Sequence, residues 1–475
     1  MLEFVRNMQL KAFFERHWEK ILIFFILILS FFWVGKVIDI KNNAVLGADY
    51  GYYMSAGEQQ LVNKNLYSEV VSPYPPLGIL YYSTICALGW EAPNSIFLIN
   101  SILSLLVIVI AIWGFGAKNI KEVIFFSLLA IFAWYDFRSY DVKLELITTL
   151  FLSFSVVSYF RFQWLVFTGV FLALAVLTKQ YALSYLAIFG LYNTIQKWKE
   201  GKESFMLKLF SPSNLKIAAG FFGTIILFFI VLWLFGRAEM FLKSNQNTIQ
   251  NYGTRNWMKA INFYFINMNK SNYYLLILSL FACFFIEWKE FFKSKLFFIF
   301  LWLTIGGLHL YFKANKDYLV MPFLGAPLLF FFLYSRIRDF KLKFLFVFLL
   351  FSVIVYRNKT NAYYINHSSR ESTMKIVDHF AYLTHSKSVM NLAMPYYSFG
   401  LHLGPQMNFS YAFVDNLNEE RFNQKFQDCD SVLYDGYFES KGIFKTKGVK
   451  TRLETAGFAM VDSFENTALF VKKQH

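Results

Sequence analysis

Residues 21–35, ILIFFILILSFFWVG, and residues 296–312, LFFIFLWLTIGGLHLYF, contain no Lys, Arg, Asp or Glu. Uncharged apolar runs of roughly 15–20 residues match the hydrocarbon core of a bilayer. Across the 475 residues, 56% are hydrophobic and only 16% are charged, whereas a soluble protein carries about 25% charged residues. The sequence therefore predicts a mainly α, polytopic membrane protein. It excludes a disordered chain and a coiled coil, and it disfavours an ordinary soluble enzyme.

The apolar stretches indicate about 11 transmembrane spans. They lie at 21–35, 95–116, 122–135, 145–160, 164–192, 217–236, 273–288, 296–312, 318–334 and 343–356. The stretch 164–192 has Lys179 at its middle, and a lysine at mid-bilayer costs at least about 2.5–3.5 kcal/mol. We therefore expect two short spans with Lys179 at the turn between them. Residues 77–90 are short for a span, and they either cross the membrane or lie along its interface.

Basic residues set the predicted orientation in the cell membrane. The chain has 46 Lys and Arg against 31 Asp and Glu, a net charge of +15. With about 11 spans, the basic clusters at 197–216 and 336–343 fall in loops on one side, as expected for cytoplasmic loops. This places the N-terminus in the cytoplasm and makes 21–35 a retained first span rather than a cleaved signal peptide. It also accounts for the charge without a nucleic-acid partner.

Two extracytoplasmic regions follow from this topology. The first is a loop, 36–76, inside a transmembrane domain that covers 1–356. The second is a small C-terminal α/β domain at 357–475, where the composition becomes polar. Its pattern predicts helices at 371–385 and 418–427, buried strands at 388–393 and 431–436, and a closing hairpin formed by GFAMVDSF and TALFVKK.

The first loop holds the residues best suited to chemistry. Asp49 begins a predicted interfacial helix in GADYGYYMSAG, residues 47–57. It either only caps that helix or acts as a carboxylate that takes a proton from an acceptor group. Tyr50, Tyr53 and Tyr74 either belong to an interfacial aromatic belt or offer ring faces to a sugar or a polyprenyl tail.

Three motifs resemble those of the GT-C glycosyltransferases. The resemblance is greatest to the branch that uses polyprenyl-phosphate sugars, which includes protein mannosyltransferase, aminoarabinose transferase and family-87 mannosyltransferase types. The first loop has an acid just past the first span, paired tyrosines, and YPPL at 74–77. LTKQYALSYL at 177–186 resembles the family's Thr-Lys turn, and KDYLVMPFLGAPLLF at 316–330 resembles its Tyr-Leu-x-x-Pro segment. The long first loop with interfacial helices and the C-terminal domain match the family's plan.

The resemblance implies roles for two residues. Asp49 would be the general base that deprotonates an acceptor hydroxyl or amine, and Lys179 would bind the donor phosphate at the extracytoplasmic mouth. A cation is also expected on physical grounds, because negative charge develops on the phosphate oxygens as the sugar leaves. The alternative for Lys179 is a lysine that extends its ammonium from a helix turn to the membrane surface.

Three further residues are secondary candidates. Arg138 and Lys316 lie on the same predicted side and are candidates for the donor phosphate, although Lys316 also suits the end of a span. Asp141 is a candidate for substrate binding where the family has a second acidic or polar residue. Here Lys143 follows it instead of small residues, and a solvated loop with local ion pairs is the alternative.

A divalent metal ion is a possible cofactor, but no certain one is predicted. Its candidate ligands are Asp49, Glu58, Asp136 and Asp141, which are carboxylates of the kind that bind such ions. They lack the tight spacing of a defined metal motif.

The predicted function is that of an inverting membrane glycosyltransferase. It would move a sugar from a polyprenyl-phosphate donor to a glycan, lipid or protein acceptor on the extracytoplasmic face. One alternative is a secondary transporter, which places ionisable groups near the midplane on broken helices. Another is a polysaccharide ligase or polymerase. The acidic residues near one face and the large C-terminal region favour the glycosyltransferase.

Overall fold

A computed structural model describes part of the chain. The described residues are 17, 48–63, 75–90, 92–118, 120, 122–123, 127, 143–198, 204–239, 241–242, 256–263, 291–311, 319–339, 341–349, 352, 370–384, 389–393, 397, 400–403, 429–436 and 448–473. The predicted spans 21–35 and 273–288, most of 122–135, and the predicted helix 418–427 lie outside them.

The described part is mostly helical. Its helices are α1 (Ala48–Asn63), α2 (Pro76–Ala87), α3 (Pro93–Phe115), α4 (Leu144–Phe160), α5 (Leu165–Val176), α6 (Leu183–Trp198), α7 (Phe205–Leu209), α8 (Pro212–Leu234), α9 (Lys295–Ile305), α10 (Val320–Phe323), α11 (Gly325–Arg336), α12 (Arg370–His379) and α13 (Val449–Thr455). Short 3-10 turns cover Gln180–Ala182, Phe291–Lys293, Leu308–Tyr311 and Ala381–Leu383.

Three predicted apolar stretches, 95–116, 145–160 and 217–236, are helices with bounds close to those expected, namely α3, α4 and α8. Proline at the first helical position starts α2, α3 and α8, where its missing N–H costs nothing. One stretch differs from the prediction, because 296–312 is interrupted. It breaks after Ile305. The stretch 318–334 is an apolar helix over Val320–Arg336, in which α10 and α11 meet at Leu324 with helical backbone angles (φ −56°, ψ −24°). Two described helices, Ser95–Phe115 and Pro212–Leu234, are long and apolar enough to cross a membrane by themselves.

The predicted break at Lys179 is confirmed. α5 ends at Val176, Lys179 has extended backbone angles (φ −149°, ψ 118°), and α6 begins at Leu183. The Thr178 hydroxyl donates to the Leu174 carbonyl oxygen at 2.9 Å, so it satisfies one of the carbonyls that the end of α5 leaves open. A long apolar stretch is thereby divided into two short helices that bring a charged residue to the junction.

α5 and α8 cross with their backbones in contact. A Cβ atom at Gly169 would lie 2.0 Å from the Ile217 carbonyl oxygen, and one at Gly220 would lie 2.0 Å from the Val166 carbonyl oxygen. Glycine is therefore required at both positions, as is typical where membrane helices approach closely.

Aromatic rings fill the centre between α3, α4, α6 and α9. The Phe298 ring lies 4.8 Å from Phe160, 5.1 Å from Phe189 and 5.3 Å from Tyr192, each in an edge-on arrangement. Such edge-to-face pairs add about 0.5–1.5 kcal/mol each beyond the area they bury. Part of the high Phe content is thus core packing rather than lipid-facing surface.

A small four-stranded sheet forms in the C-terminal region. Its strands are β1 (Val389–Leu392), β2 (Ser431–Tyr434), β3 (Phe458–Phe464) and β4 (Thr467–Lys472), in the order β1-β2-β4-β3. β1 and β2 are parallel, and β4 is antiparallel to both β2 and β3. The two predicted strands and the closing hairpin are confirmed, while the predicted helix 371–385 ends earlier, at His379.

Candidate functional site

A buried ion pair joins Lys179 to Glu145. The Nζ atom of Lys179 lies 2.9 Å from Oε1 of Glu145, and both side chains are only 2% exposed. The same ammonium lies 6.0 Å from the centre of the Tyr181 ring. Two charges taken out of water require close mutual contact, because the desolvation of either one alone is costly. The sequence predicted a functional Lys179, and the structure adds its carboxylate partner.

Local structure explains why the two charges meet. Glu145 lies in the first turn of α4, where the helix dipole favours a negative charge. Lys179 lies at the break after α5, and α4 packs along α5. The start of α4 is therefore beside the end of α5, and the two side chains reach each other inside the protein.

Asp49 lies in the first turn of α1, and its side chain is outside the described part. Tyr50 and Tyr53 follow it and are both 3% exposed. The Tyr53 ring stacks on Tyr82 of α2, with 5.4 Å between ring centres and 16° between planes. Both tyrosines are thus packed in the core, and their proposed contact with substrate stays a prediction.

A chain of contacts connects α1 to the ion pair. Tyr53 stacks on Tyr82, and the Tyr82 hydroxyl donates to the Lys143 carbonyl oxygen at 3.2 Å. Lys143 immediately precedes α4 and is two residues before Glu145. The helix that begins with Asp49 therefore lies at the same end of the helical bundle as Lys179.

The third motif, at 316–330, contacts the helices that lie around the Glu145–Lys179 pair. α10, within the Tyr-Leu-x-x-Pro segment, packs against α4. The indole N–H of Trp302 donates to the Met321 carbonyl oxygen at 3.1 Å, and the Trp302 ring lies 4.5 Å from that of Tyr185 in α6. The first loop, the Thr-Lys turn and this segment, which are far apart in sequence, are connected through α4 and α6.

Basic residues gather at the opposite end of α4, which at 17 residues is about 25 Å long. Lys295 donates to the Phe115 carbonyl oxygen at 2.5 Å and lies 5.1 Å from the Phe115 ring centre. Arg161 lies over the Trp113 ring at 5.3 Å. The ends of α3 and α4 and the start of α9 therefore meet at one end, as the predicted topology requires. Which side of the membrane this end faces stays a prediction.

Several predicted site residues lie outside the described part of the chain. They are Arg138, Asp141, Lys316 and Tyr74, and their roles stay predictions. Glu145 was not singled out from the sequence, because it was assigned to the start of a span. The signal was available, since a lysine within an apolar stretch needs a buried carboxylate, and Glu145 opens the neighbouring apolar stretch.

The proposed metal ligands are only partly described. Glu58 accepts a close contact from His402, with 2.5 Å between Oε1 and Nδ1, while Asp136, Asp141 and the side chain of Asp49 lie outside the described residues. Within the described residues, no group of three or more His, Cys, Asp or Glu side chains is arranged to hold a metal ion.

Comparison with known proteins shows similarity in structure. No protein-family model matches the chain, and no curated protein sequence matches it. The crystal structure of ArnT from Cupriavidus metallidurans bound to undecaprenyl phosphate matches with a TM-score of 0.62 and 10% identity, covering 94% of this chain and 97% of that one. The apo state of the same protein matches with a TM-score of 0.61 and 10% identity, over 95% and 97% of the two chains.

The apo structure of an oligosaccharyltransferase from Archaeoglobus fulgidus matches with a TM-score of 0.49 at 10% identity, over 98% of this chain and 75% of that chain. ArnT, an aminoarabinose transferase, is a polytopic membrane protein of the GT-C superfamily. The similarity to ArnT extends over nearly the whole of both chains and includes helices and a small sheet. This chain therefore shares the GT-C fold, as the motifs in its sequence predicted.

Proposed function

We propose that this protein is a glycosyltransferase of the cell membrane. It moves a sugar from a polyprenyl-phosphate donor to an acceptor on the extracytoplasmic face. The observation that carries the proposal is the contact chain from α1, through Tyr53, Tyr82 and Lys143, to the buried Glu145–Lys179 pair. These contacts support a site in which the helix that begins with Asp49 and the buried Lys179 lie at the same end of the helical bundle. The ArnT structure, which has the same fold, was determined with undecaprenyl phosphate bound.

In the proposed reaction, an acceptor hydroxyl or amine attacks the anomeric carbon of the sugar. The new bond forms as the bond from that carbon to the phosphate oxygen breaks, and the polyprenyl phosphate leaves with the electron pair. Asp49 takes the proton from the acceptor. A single displacement of this kind inverts the configuration at the anomeric carbon.

Lys179 stabilises the departing phosphate. An ammonium has three N–H donors, so Lys179 is able to contact Glu145 and a phosphate oxygen together. Arg138 or Lys316 supplies a second positive charge. A fixed cation in a site without bulk water stabilises developing negative charge far more strongly than it does in water. The C-terminal region 357–475 shapes the acceptor side.

The test uses the purified full-length protein and a panel of polyprenyl-phosphate sugars. Donor binding is measured as a rise in the thermal unfolding temperature, and transfer is measured with candidate acceptors. We expect Asp49→Asn to lower transfer by at least about 100-fold, the lower bound for loss of a general base, while it keeps the stabilisation by donor. We expect Lys179→Met to lose that stabilisation.

Lys295→Met is the matched control, because it removes a partly buried lysine from the other end of α4. It should keep the stabilisation by donor. Wild-type turnover in Asp49→Asn would overturn the base assignment, and full stabilisation by donor in Lys179→Met would overturn the phosphate contact. Counterflow of a soluble substrate in vesicles, without any transfer, would favour a transporter instead.

A further inference from the structure

A short C-terminal segment docks on the helix that begins with Asp49. This 401–403 segment contributes Leu401 and Leu403, which are 1% and 3% exposed and belong to the main hydrophobic core. The segment meets α1 across a separation of 344 residues in sequence. It is therefore a tertiary contact that arises from the fold and not from proximity in sequence.

Two polar contacts hold the segment to α1. Gln59 donates from Nε2 to the Leu403 carbonyl oxygen at 3.1 Å and to the Ser55 hydroxyl at 3.0 Å. Next to it, Nδ1 of His402 lies 2.5 Å from Oε1 of Glu58. Gln59 is buried, whereas Glu58 and His402 are 25% and 41% exposed, so the contact between His402 and Glu58 lies at the exposed edge of the buried contact.

The backbone of His402 is left-handed, with φ of +50°. This conformation is uncommon for residues other than glycine, although His tolerates it better than most. It persists only where the surrounding structure holds it. Here it lets Leu401 and Leu403 enter the core while the His402 side chain between them reaches Glu58.

The other side of α1 packs on α2. Tyr53 stacks on Tyr82, and a Cβ atom at Gly57 would lie 2.7 Å from the Tyr82 carbonyl carbon. Glu58 is nine residues after Asp49, which is two and a half helical turns and thus half a revolution around the helix. α1 is therefore held between α2 on one side and the 401–403 segment on the other.

We propose that the 401–403 segment is a clamp that positions α1, and that Glu58 and His402 are positioning residues for Asp49. This inference rests on the proposed function, in which Asp49 is the base. A base must be held within a fraction of an ångström of its productive place, and Asp49 lies in the first turn of α1. The clamp on one side and α2 on the other fix the position of this helix.

The test exchanges the charges of the pair. Glu58→Lys and His402→Asp each break the contact, and the double variant restores it with the signs reversed. Asp is chosen at 402 because it tolerates a left-handed backbone. We expect each single variant to lower kcat about tenfold, which corresponds to a coupling within the range measured for residues in contact. KM for the donor should change little, and the double variant should recover most of kcat.

His379 and Asp462 provide the matched control, since Nε2 of His379 lies 3.2 Å from Oδ2 of Asp462 between α12 and β3. The same exchange there, His379→Asp with Asp462→Lys, breaks and restores a histidine–carboxylate pair of the C-terminal region. It should leave kcat unchanged at every step. Glu58→Ala replaces Glu58→Lys if the latter does not fold, because it also removes the oxygen that contacts His402.

The rate of amide hydrogen exchange in the α1 backbone is measured in every variant, because this measurement does not depend on enzymatic activity. We expect faster exchange in both single variants and recovery in the double variant. Unchanged exchange in the single variants, or loss of kcat without rescue, would overturn the clamp. If the wild type transfers no sugar but the exchange pattern is as expected, then the proposed function fails and the clamp on α1 stands.

Discussion

α4 has a lysine near each of its ends, and the two lysines are held in different ways. At the first end, Lys179 contacts the Glu145 carboxylate, with both side chains 2% exposed. At the other end, Lys295 contacts the Phe115 carbonyl oxygen and lies 5.1 and 5.2 Å from the Phe115 and Phe160 ring centres. A carbonyl and aromatic rings stay neutral when the lysine is lost, but a buried carboxylate is left with an unbalanced charge.

This difference distinguishes Lys179, which belongs to the proposed site, from Lys295, which flanks a helix end. A buried charge pair is rarely the most stable way to fill a core, and apolar residues of similar volume often serve better. Its presence beside the three motifs is therefore better explained by chemistry than by stability. Lys295, which flanks the start of a helix, has the ordinary place of a basic residue at the end of a membrane span.

The largest expected effect is that of Glu145→Leu. Removal of the carboxylate leaves the Lys179 charge unbalanced in the core, which costs about 3–5 kcal/mol for a buried pair. Thermal and denaturant unfolding in detergent, followed by helical circular dichroism, measures the loss of stability. A variant as stable as the wild type would show that Lys179 does not depend on Glu145.

The double variant Glu145→Leu with Lys179→Met separates stability from function. Because both charges are gone, we expect its stability to return to within about 1–2 kcal/mol of the wild type. Transfer and stabilisation by donor should stay lost, since the Lys179 ammonium proposed to contact the donor phosphate is gone. Recovered transfer in the double variant would contradict the role of Lys179.

Lys295→Met has a smaller expected effect. It removes one contact with a carbonyl and the cation–π contacts, which together contribute about 1–2 kcal/mol. No partner is left charged, so the loss should be well below that of Glu145→Leu in the same unfolding measurement. Equal losses at the two ends would remove the distinction drawn between them.

The smallest expected effect concerns an exposed carboxylate of the C-terminal region. The Tyr382 hydroxyl donates to Asp462 at 2.8 Å, and this bond, with that from His379, holds the pKa of Asp462 below its usual value. The contribution of the Asp462 carboxylate to stability is therefore complete at neutral pH and is lost as the pH falls through that lowered pKa.

The unfolding temperatures of the wild type and Asp462→Asn should accordingly differ slightly at pH 7. The difference should disappear in strongly acidic solution. A difference that grows as the pH falls below about 4, the ordinary pKa of Asp, would contradict this assignment. Unlike the Glu145–Lys179 pair, this contact is screened by water, so its loss should not unfold the protein.

The fold was predictable from the sequence to a large extent. Apolar runs gave α3, α4 and α8, and the cost of a lysine in an apolar run gave the break between α5 and α6. The interruption after Ile305 was not predicted, because an apolar run has the same appearance whether its helix is continuous or broken. Strand order in the C-terminal sheet also depends on contacts that are distant in sequence.

The site was predictable in part. Lys179 was identified from its unusual surroundings, but Glu145 was assigned to a span, and the second acid was sought at Asp141. Partners across helices depend on how the helices pack, which periodicity does not determine. Tyr53 illustrates the same limit, because the stacking of its ring on Tyr82 depends on how α1 and α2 pack.

The glycine crossing of α5 and α8 bears on how a lipid substrate enters. With Gly169 and Gly220 each against a carbonyl oxygen of the facing helix, this seam has no gap through which a polyisoprenoid chain could pass. If the protein uses a lipid-linked donor, then the donor must enter from the bilayer between another pair of helices. Larger residues at Gly169 and Gly220 would push α5 and α8 apart and weaken their packing, but they would not open the entry path of the lipid.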